Sequence, residues 1–328
     1  MQYRQMGKWG AQLSCLGLGS FFSIGDKCDE ATSGRLIQTA YDAGITFFDT
    51  ANAYAHGESE RIVGKYLKNY RRSSYVLLTK VHGNMGDRPT EGGLSAKAII
   101  EQCDASLKRL DMEYADVLMC HRPDLSVPLE EIVRAMEDLA RRGKIFYWAV
   151  SEWPAALVAQ AQAMARQIGA RPMVLTEPRY NLLYRYPERD LFPTTRSEGI
   201  GNVTFSPLAH GMLSAKYVPG EPPPPGSRGA DPVRGAYIKQ LYWTEENKQQ
   251  AQELDQLARE IGASAAQLAI AWCLTRPDVT SAILGATRVE QLTENLKAAD
   301  LKIPPDLLAK IEELYPLVDT TPRITRHH

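Results

Sequence analysis

Four side chains able to hold or exchange protons fall at the ends of short apolar runs. Asp49 follows Phe47 and Phe48, Lys80 closes the run from Tyr75, and His121 closes the run from Val117; Tyr54 lies five residues beyond Asp49. Three consecutive strand-like runs thus end on an acid, an ammonium and an imidazole, with a phenol on the loop after the first. Singly, each has a plain structural use: a helix cap, a strand-end surface charge, a hydrogen-bonded structural histidine, a loop aromatic. Together they suit proton delivery by tyrosine. A free phenol has a pKa of about 10. An ammonium about 4 Å away favours the phenolate by up to ~4 kcal/mol at an effective dielectric of about 20, so Lys80 is expected to move Tyr54 toward neutrality against desolvation. Asp49 would hold Lys80 charged and aimed. His121 would hydrogen-bond the reacting oxygen, and a carbonyl under Tyr54 could be protonated as hydride arrives.

Eight apolar runs must supply the strands that carry these groups. They are residues 16–19, 47–49, 75–80, 117–121, 145–150, 173–176, 203–205 and 281–285. Helical spacing follows most of them: Leu36, Ile37, Ala40 and Tyr41; Ile62, Val63 and Tyr66; Ile99, Cys103, Leu107 and Leu110 behind an N-cap at Ser95; Ile132, Met136 and Leu139. A further helix is expected from about Pro154, with proline in its first turn. Ser264 and Gln267 form a capping box, and Leu292 with Leu296 marks the last repeat. Residues 1–15 read as a β-hairpin turning at Gly7–Gly10.

This alternation predicts an α/β fold, a single (β/α)8 TIM barrel over residues 1–328, with a doubly wound three-layer sheet as the alternative. The absence of GxGxxG after the first run weakens that alternative. Residues 218–243, with prolines at 222–225, read as a loop insertion after the seventh strand, and 218–234 within it as a candidate lid.

Lys plus Arg (38) nearly cancels Asp plus Glu (39), which excludes a strong field for nucleic acid or acidic membranes. No apolar run is long enough to span a bilayer, and the start carries no signal-peptide apolar region. The five cysteines form no CxxC pair, arguing for reduced thiols and against a metal site. A soluble, cytoplasmic protein is the expectation.

The runs FFDTANAY (47–54), LLTK (77–80) and MCHRPD (119–124) resemble the aldo-keto reductase family, whose catalytic tetrad would fall on Asp49, Tyr54, Lys80 and His121. The likeness extends from Gly17–Gly19 to residues 291–295. The opening MQYRQMGKWG, with YWAVSEW (147–153) and LAIAWCL (268–274), is most similar to the potassium-channel β-subunit branch and its bacterial relatives. The resemblance implies a barrel closed at its bottom by the N-terminal hairpin, an NADP(H) cofactor, a small-molecule carbonyl substrate, no membrane insertion, and a homo-oligomer of four or more chains.

It also implies the cofactor contacts. Phe205, Ser206, Pro207, Leu208, Ala209 and Gly211 match the segment that stacks on nicotinamide and binds pyrophosphate, and Lys216 and Arg228 match positions that clamp the pyrophosphate. Gly285, Thr287 and Arg288 match the 2′-phosphate site, with Gln291, Glu294 and Asn295 at the adenine. Ser20, Phe21, Asp49, Ser151, Glu152 and Glu177 match the nicotinamide end. Physically, an aromatic ring can stack on nicotinamide, and a glycine, hydroxyl and guanidinium before a helix make an anion site. Without the likeness these would read as a core aromatic, a turn and a well-capped helix. Departures fall at Ser20-Phe21, commonly Thr-Trp, at Glu152, commonly Asn or Arg, and at Glu177, commonly Gln. A carboxylate there can accept from an amide but cannot donate unless protonated.

The leading expectation is an NADPH-dependent reductase of aldehydes and ketones with Tyr54 as general acid. The alternative is an NADPH-binding, channel β-subunit-like regulator with little turnover. His121, where mammalian channel subunits carry Asn, favours the enzyme, as does a start at the hairpin without a long extension. A Schiff-base lyase on Lys80 is a third reading, opposed by Asp49 keeping the amine protonated. Phe22, His82, Trp153, Tyr180, Tyr184, Tyr242 and Trp243 are expected at the pocket rim.

Overall fold

Short apolar strands alternating with amphipathic helices bury both faces only in a parallel sheet covered by helices. The structure is a computed structural model that describes residues 1–317; the last part of the expected 1–328 unit, 318–328, lies outside the described residues. A hairpin, β1 (Tyr3–Met6) and β2 (Trp9–Ser14), precedes the barrel strands β3 (Leu16–Gly19), β4 (Phe47–Asp49), β5 (Val76–Val81), β6 (Ala115–Cys120), β7 (Ile145–Ser151), β8 (Leu175–Glu177), β9 (Gly201–Thr204) and β10 (Val279–Leu284). These eight close in the order β10-β3-β4-β5-β6-β7-β8-β9. The parallel pairing of Leu284 with Leu18 shuts the ring, which excludes the open doubly wound sheet.

The helices are α1 (Glu30–Asp42), α2 (Glu58–Leu67), α3 (Ala96–Leu110), α4 (Leu129–Arg141), α5 (Ala155–Ile168), α6 (Leu191–Glu198), α7 (Gly235–Tyr242), α8 (Glu245–Glu260), α9 (Ala265–Thr275), α10 (Val289–Leu296) and α11 (Pro305–Leu314). Local signals start them where expected: the Ser95 hydroxyl accepts from the Ala98 N–H at 3.2 Å, and Ser264 and Gln267 cap α9 reciprocally. On α4, Ile132, Val133, Met136 and Leu139 bury one face at helical spacing. Pro154 is displaced from its expected place. Its ψ of 147° makes it the N-cap before α5, not a first-turn residue. No helix among the described residues is long and apolar enough to cross a membrane.

The hairpin plugs the lower end. Met6 and Leu13 are fully buried and join Phe47, Leu78, Val117, Met119 and Val203 inside the barrel, each burial worth about 1.5–3 kcal/mol. Arg4 donates to the Val279 carbonyl at 2.6 Å and the Leu274 carbonyl at 2.8 Å, and the Lys8 N–H reaches the Gly199 carbonyl at 2.9 Å. At the turn, Gly7 has φ +60° and lies so close to the Gly199 carbonyl that a Cβ would overlap it. With the bottom filled, polar side chains collect at the opposite mouth.

Residues 218–243 are not loop throughout, because Ile238 and Tyr242 of α7 pack into the core. The Gly229 N–H bonds the Tyr217 hydroxyl at 3.0 Å, Arg234 pairs with Asp26, and Lys27 Nζ donates to the Gly226 carbonyl at 3.2 Å. This segment is therefore a strap tied to the loop after β3.

Candidate active site

β4 ends on Asp49, β5 carries Lys80 next to its end, His121 follows β6, and β8 ends on Glu177. Past Asp49 the chain keeps pairing with β5: the Thr50 N–H reaches the Leu78 carbonyl at 3.0 Å and the Asn52 N–H the Lys80 carbonyl at 3.1 Å. Asn52 is then pinned by Nδ2 to Gln102 Oε1 at 2.6 Å. A tight turn follows, with Ala55, His56 and Gly57 all at positive φ (47°, 51° and 90°), and swings the chain into α2. That geometry delivers Tyr54 over the strand ends. Its hydroxyl is 3.4 Å from Lys80 Nζ and 3.4 Å from His121 Nε2, and the phenol and imidazole meet edge-on.

Lys80 is fully buried and bonds Asp49 Oδ1, with the Thr50 carbonyl at 3.3 Å and Glu177 Oε2 at 3.4 Å. Burial alone would lower its pKa, yet the Asp49 and Glu177 carboxylates and the Tyr54 phenol raise it above the ordinary lysine value. It stays an ammonium and is no nucleophile, which disfavours the Schiff-base reading. His121 is driven well below the ordinary imidazole value by burial and by Lys80, Arg122 and His82, and so is neutral. Its Nε2 can carry a proton toward a ligand oxygen.

Tyr54 departs from expectation. Burial raises its pKa, Lys80 opposes that, and Asp49 and Glu177 add to it, so the phenol is held protonated well above its ordinary value. Lys80 is compensated on its other side by carboxylates, which blunts its pull on the phenol.

The second cluster lies beyond β9. Phe205 continues the strand through a bridge to Arg179, and Ser206, Ala209, His210 and Gly211 all take positive φ. Pro207 and Leu208 lie between them, and Leu208 accepts the Gly211 and Leu213 N–H groups at 2.8 and 3.2 Å. Here Lys216, although exposed at the surface, is pushed down to about 8 by partial desolvation and by the neighbouring cations Arg228, Arg288 and Lys27. His210, 2.9 Å from Arg228, is pushed down to about 3 by burial and by Arg228 and Arg179. Among the described residues none of Lys27, Lys216, Arg228 and Arg288 forms an ion pair. Uncompensated cations at a glycine turn and a helix start fit a polyanion such as the phosphates of a dinucleotide. Arg288 stands exposed at the N-cap of α10, after exposed Gly285, and the Thr287 N–H bonds Gln291 Oε1 at 3.1 Å. Glu294 pairs with Lys297 at 2.8 Å, and Asn295 is buried on the same helix.

At the opposite wall, Ser20 bonds the Thr50 hydroxyl at 3.0 Å, and Phe21 stacks on Phe22 at 3.9 Å beside Tyr54 at 5.0 Å. The Ser151 hydroxyl donates to the Glu177 carbonyl at 2.9 Å, while Glu152 accepts from the Arg179 N–H at 2.7 Å. Tyr180 does not reach the rim. It is fully buried between Phe192 and Trp272. Trp243 is half-buried and packs edge-on against Tyr217 at 4.9 Å.

Two functional candidates, Arg122 and His210, escaped sequence reasoning, as did one contact of a third. Arg122 donates to Ser151 Oγ at 3.2 Å and bears on Tyr54, His121 and Glu177; it follows His121 directly in the chain. His210 sits inside the expected cofactor segment. Glu177 was placed at the nicotinamide, but its contact with Lys80 was not expected. As the last residue of a strand ending Leu-Thr-Glu, it carries the same signal as Asp49.

An aldo/keto reductase family model matches residues 15–316. The chain is 39% identical over 326 residues to a probable voltage-gated potassium channel subunit beta of Arabidopsis thaliana, covering 96% of each. It is 38% identical over the full length of both chains to a probable voltage-gated potassium channel subunit beta of Oryza sativa subsp. japonica. A putative voltage-gated potassium channel subunit beta of Schizosaccharomyces pombe is 40% identical, covering 95% of this chain and 92% of its own.

Proposed function

The chain belongs to the aldo/keto reductase family, and we propose that it is an NADPH-dependent oxidoreductase that reduces aldehyde and ketone carbonyls, with Tyr54 as general acid. The observation that carries this is the phenol placed 3.4 Å from both Lys80 Nζ and His121 Nε2 at the mouth of the barrel.

NADPH would supply the hydride. A carbonyl oxygen accepting hydrogen bonds from Tyr54 and neutral His121 is polarised toward that hydride. As negative charge develops on the oxygen, the Tyr54 O–H bond breaks and the alcohol O–H bond forms. The phenolate left behind faces the Lys80 ammonium, which Asp49 orients. A phenol held above its ordinary pKa keeps its proton through the neutral range, so Tyr54 has a proton to give, but it becomes a competent acid only as charge develops on the bound oxygen beside the Lys80 ammonium. Lys216 and Arg228, with the turn from Phe205 to Gly211, would hold the pyrophosphate. Arg288 at the start of α10 would bind the 2′-phosphate and favour NADPH over NADH. Ser20, Phe21, Ser151, Glu152 and Glu177 would line the nicotinamide end, with Gly285, Thr287, Gln291, Glu294 and Asn295 at the adenosine.

The relatives' names support a second reading, a channel β-subunit-like regulator; in that reading the chain would bind NADPH with little turnover. One experiment separates the two: NADPH consumption by purified protein against a panel of aldehydes and ketones, with Tyr54→Phe alongside. The enzyme reading expects steady turnover that falls by about 10²–10⁴-fold in the variant, with NADPH affinity kept. Turnover unaffected by Tyr54→Phe would remove Tyr54 from the reaction. Tight NADPH binding without turnover on any carbonyl would favour the regulator.

A further inference from the structure

Two buried carboxylates share one ammonium at the barrel mouth. The Glu177 side chain is 4% exposed, its Oε2 lies 3.4 Å from Lys80 Nζ without a well-aligned hydrogen bond, and its carboxyl is within reach of Asp49. Its backbone is fixed, with the Ser151 hydroxyl and the Glu152 N–H on its carbonyl at 2.9 and 3.3 Å. The carboxyl faces Asp49 on β4, Lys80 on β5, Tyr54 on the loop after β4, and Arg122 after β6. Glu152, the other acid on this wall, is turned away to the Arg179 N–H. One ammonium cannot offset two buried carboxylates, so the pair retains a proton. Lys80 directs its bond to Asp49, which leaves the proton on Glu177. Burial first, then the Asp49 charge, pushes Glu177 up to about 8 against the pull of Lys80 and Arg122.

We propose that Glu177 shares one proton with Asp49 above Lys80 and releases it when the cofactor ring carries positive charge, making Glu177 the residue that sets the preference between oxidised and reduced cofactor. The inference rests on the nicotinamide reading above. A hydride donor must reach the carbon of the carbonyl whose oxygen Tyr54 protonates, so its ring enters the chamber these groups line. The oxidised ring is a cation and the reduced ring is neutral. A cation in that chamber stabilises the carboxylate, and by reciprocity the carboxylate tightens oxidised cofactor. The neutral acid discriminates less.

The test is the ratio of dissociation constants for NADP+ and NADPH from about pH 6.5 to about pH 8.5, measured on wild type, Glu177→Gln and Glu177→Asp. The ratio cancels titration of the shared phosphates and of Lys216. In wild type NADP+ should gain on NADPH by about fivefold or more across this range. Glu177→Gln should bind both forms with a flat ratio, and Glu177→Asp should restore a slope. A flat wild-type ratio, or a wild-type slope in Glu177→Gln, overturns the proposal while leaving the cofactor reading intact. Failure of either nucleotide to bind sinks the cofactor reading itself. If Glu177→Gln does not fold, calorimetric proton release from wild type decides: more release with NADP+ than with NADPH is expected, and equal release overturns it.

Discussion

Lys80 and Lys216 are ammoniums at the same end of the barrel, and their surroundings push them in opposite directions. Lys80 bonds Asp49 and has Glu177 at 3.4 Å, and its pKa rises although it is fully buried. The charges that bear on Lys216 are those of Arg228, Arg288 and Lys27, its Nζ lies 5.5 Å from the centre of the Tyr217 ring, and it is pushed down to about 8. The first cluster stands on strand ends and is compensated from within, so it is assembled before any ligand arrives. The second stands on the turn after β9, the strap and the start of α10, and none of its cations forms an ion pair among the described residues. On the function proposed above, a cluster of the first kind would act on a substrate and one of the second kind would hold a ligand.

The sharpest way to break this contrast is Lys80→Met. It strands Asp49 and Glu177 in the same buried site without their cation, which should cost about 3–5 kcal/mol of stability. Carbonyl reduction should fall by about 10³-fold or more, since Tyr54 loses the charge that accepts its phenolate. Urea midpoints and kcat check both, and a variant keeping activity within about tenfold of wild type removes Lys80 from the chemistry.

Arg228→Ala should act on binding instead. Loss of one charge-assisted contact to phosphate should weaken NADPH about 10–100-fold, with kcat at saturation nearly unchanged. A collapse of kcat with affinity intact would show that the two clusters are not separable. Arg288→Ala should be milder and selective, weakening NADPH by about tenfold while leaving NADH unaffected. Equal loss for both nucleotides would place Arg288 away from the 2′-phosphate. Fluorescence titrations measure both.

The acid cluster was legible in the sequence because strand ends are legible. FFD, LLTK and the run to Cys120 each end an apolar stretch, and a barrel brings such ends to one face. What escaped was the contact across the barrel. β8 stands three strands from β5 in the ring, and no local periodicity relates Glu177 to Lys80. The acidity of Tyr54 was misjudged for the same reason, since pairing it with Lys80 alone omits a second carboxylate and the extent of burial. The cation cluster was legible only through family likeness. Lys216 and Arg228 are separated by proline-rich chain, and the strap that joins them is set by tertiary contacts: Tyr217 on Gly229, Arg234 on Asp26 and α7 in the core.

The smallest expected effect is the most direct contrast of the two lysines. Lys216→Met removes a charge from among like charges, so the ligand-free protein should lose no stability near neutrality and should gain some. The sign follows from its pKa, about 8 when folded and about 10.4 when unfolded. Below about pH 8 the residue is charged in both states, and because Lys216 is exposed at the surface the folded state carries only a solvent-screened repulsion from Arg228, Arg288 and Lys27, so the gain is small. Between about 8 and about 10.4 the unfolded chain binds more protons, so wild-type stability rises with pH over that window and closes the gap to the variant. Urea midpoints across this range should therefore converge, and saturating NADPH at neutral pH should reverse their order because the phosphates then compensate Lys216. A ligand-free variant less stable than wild type near neutrality would mean that Lys216 has a partner within the protein, and that the second cluster is compensated from within like the first.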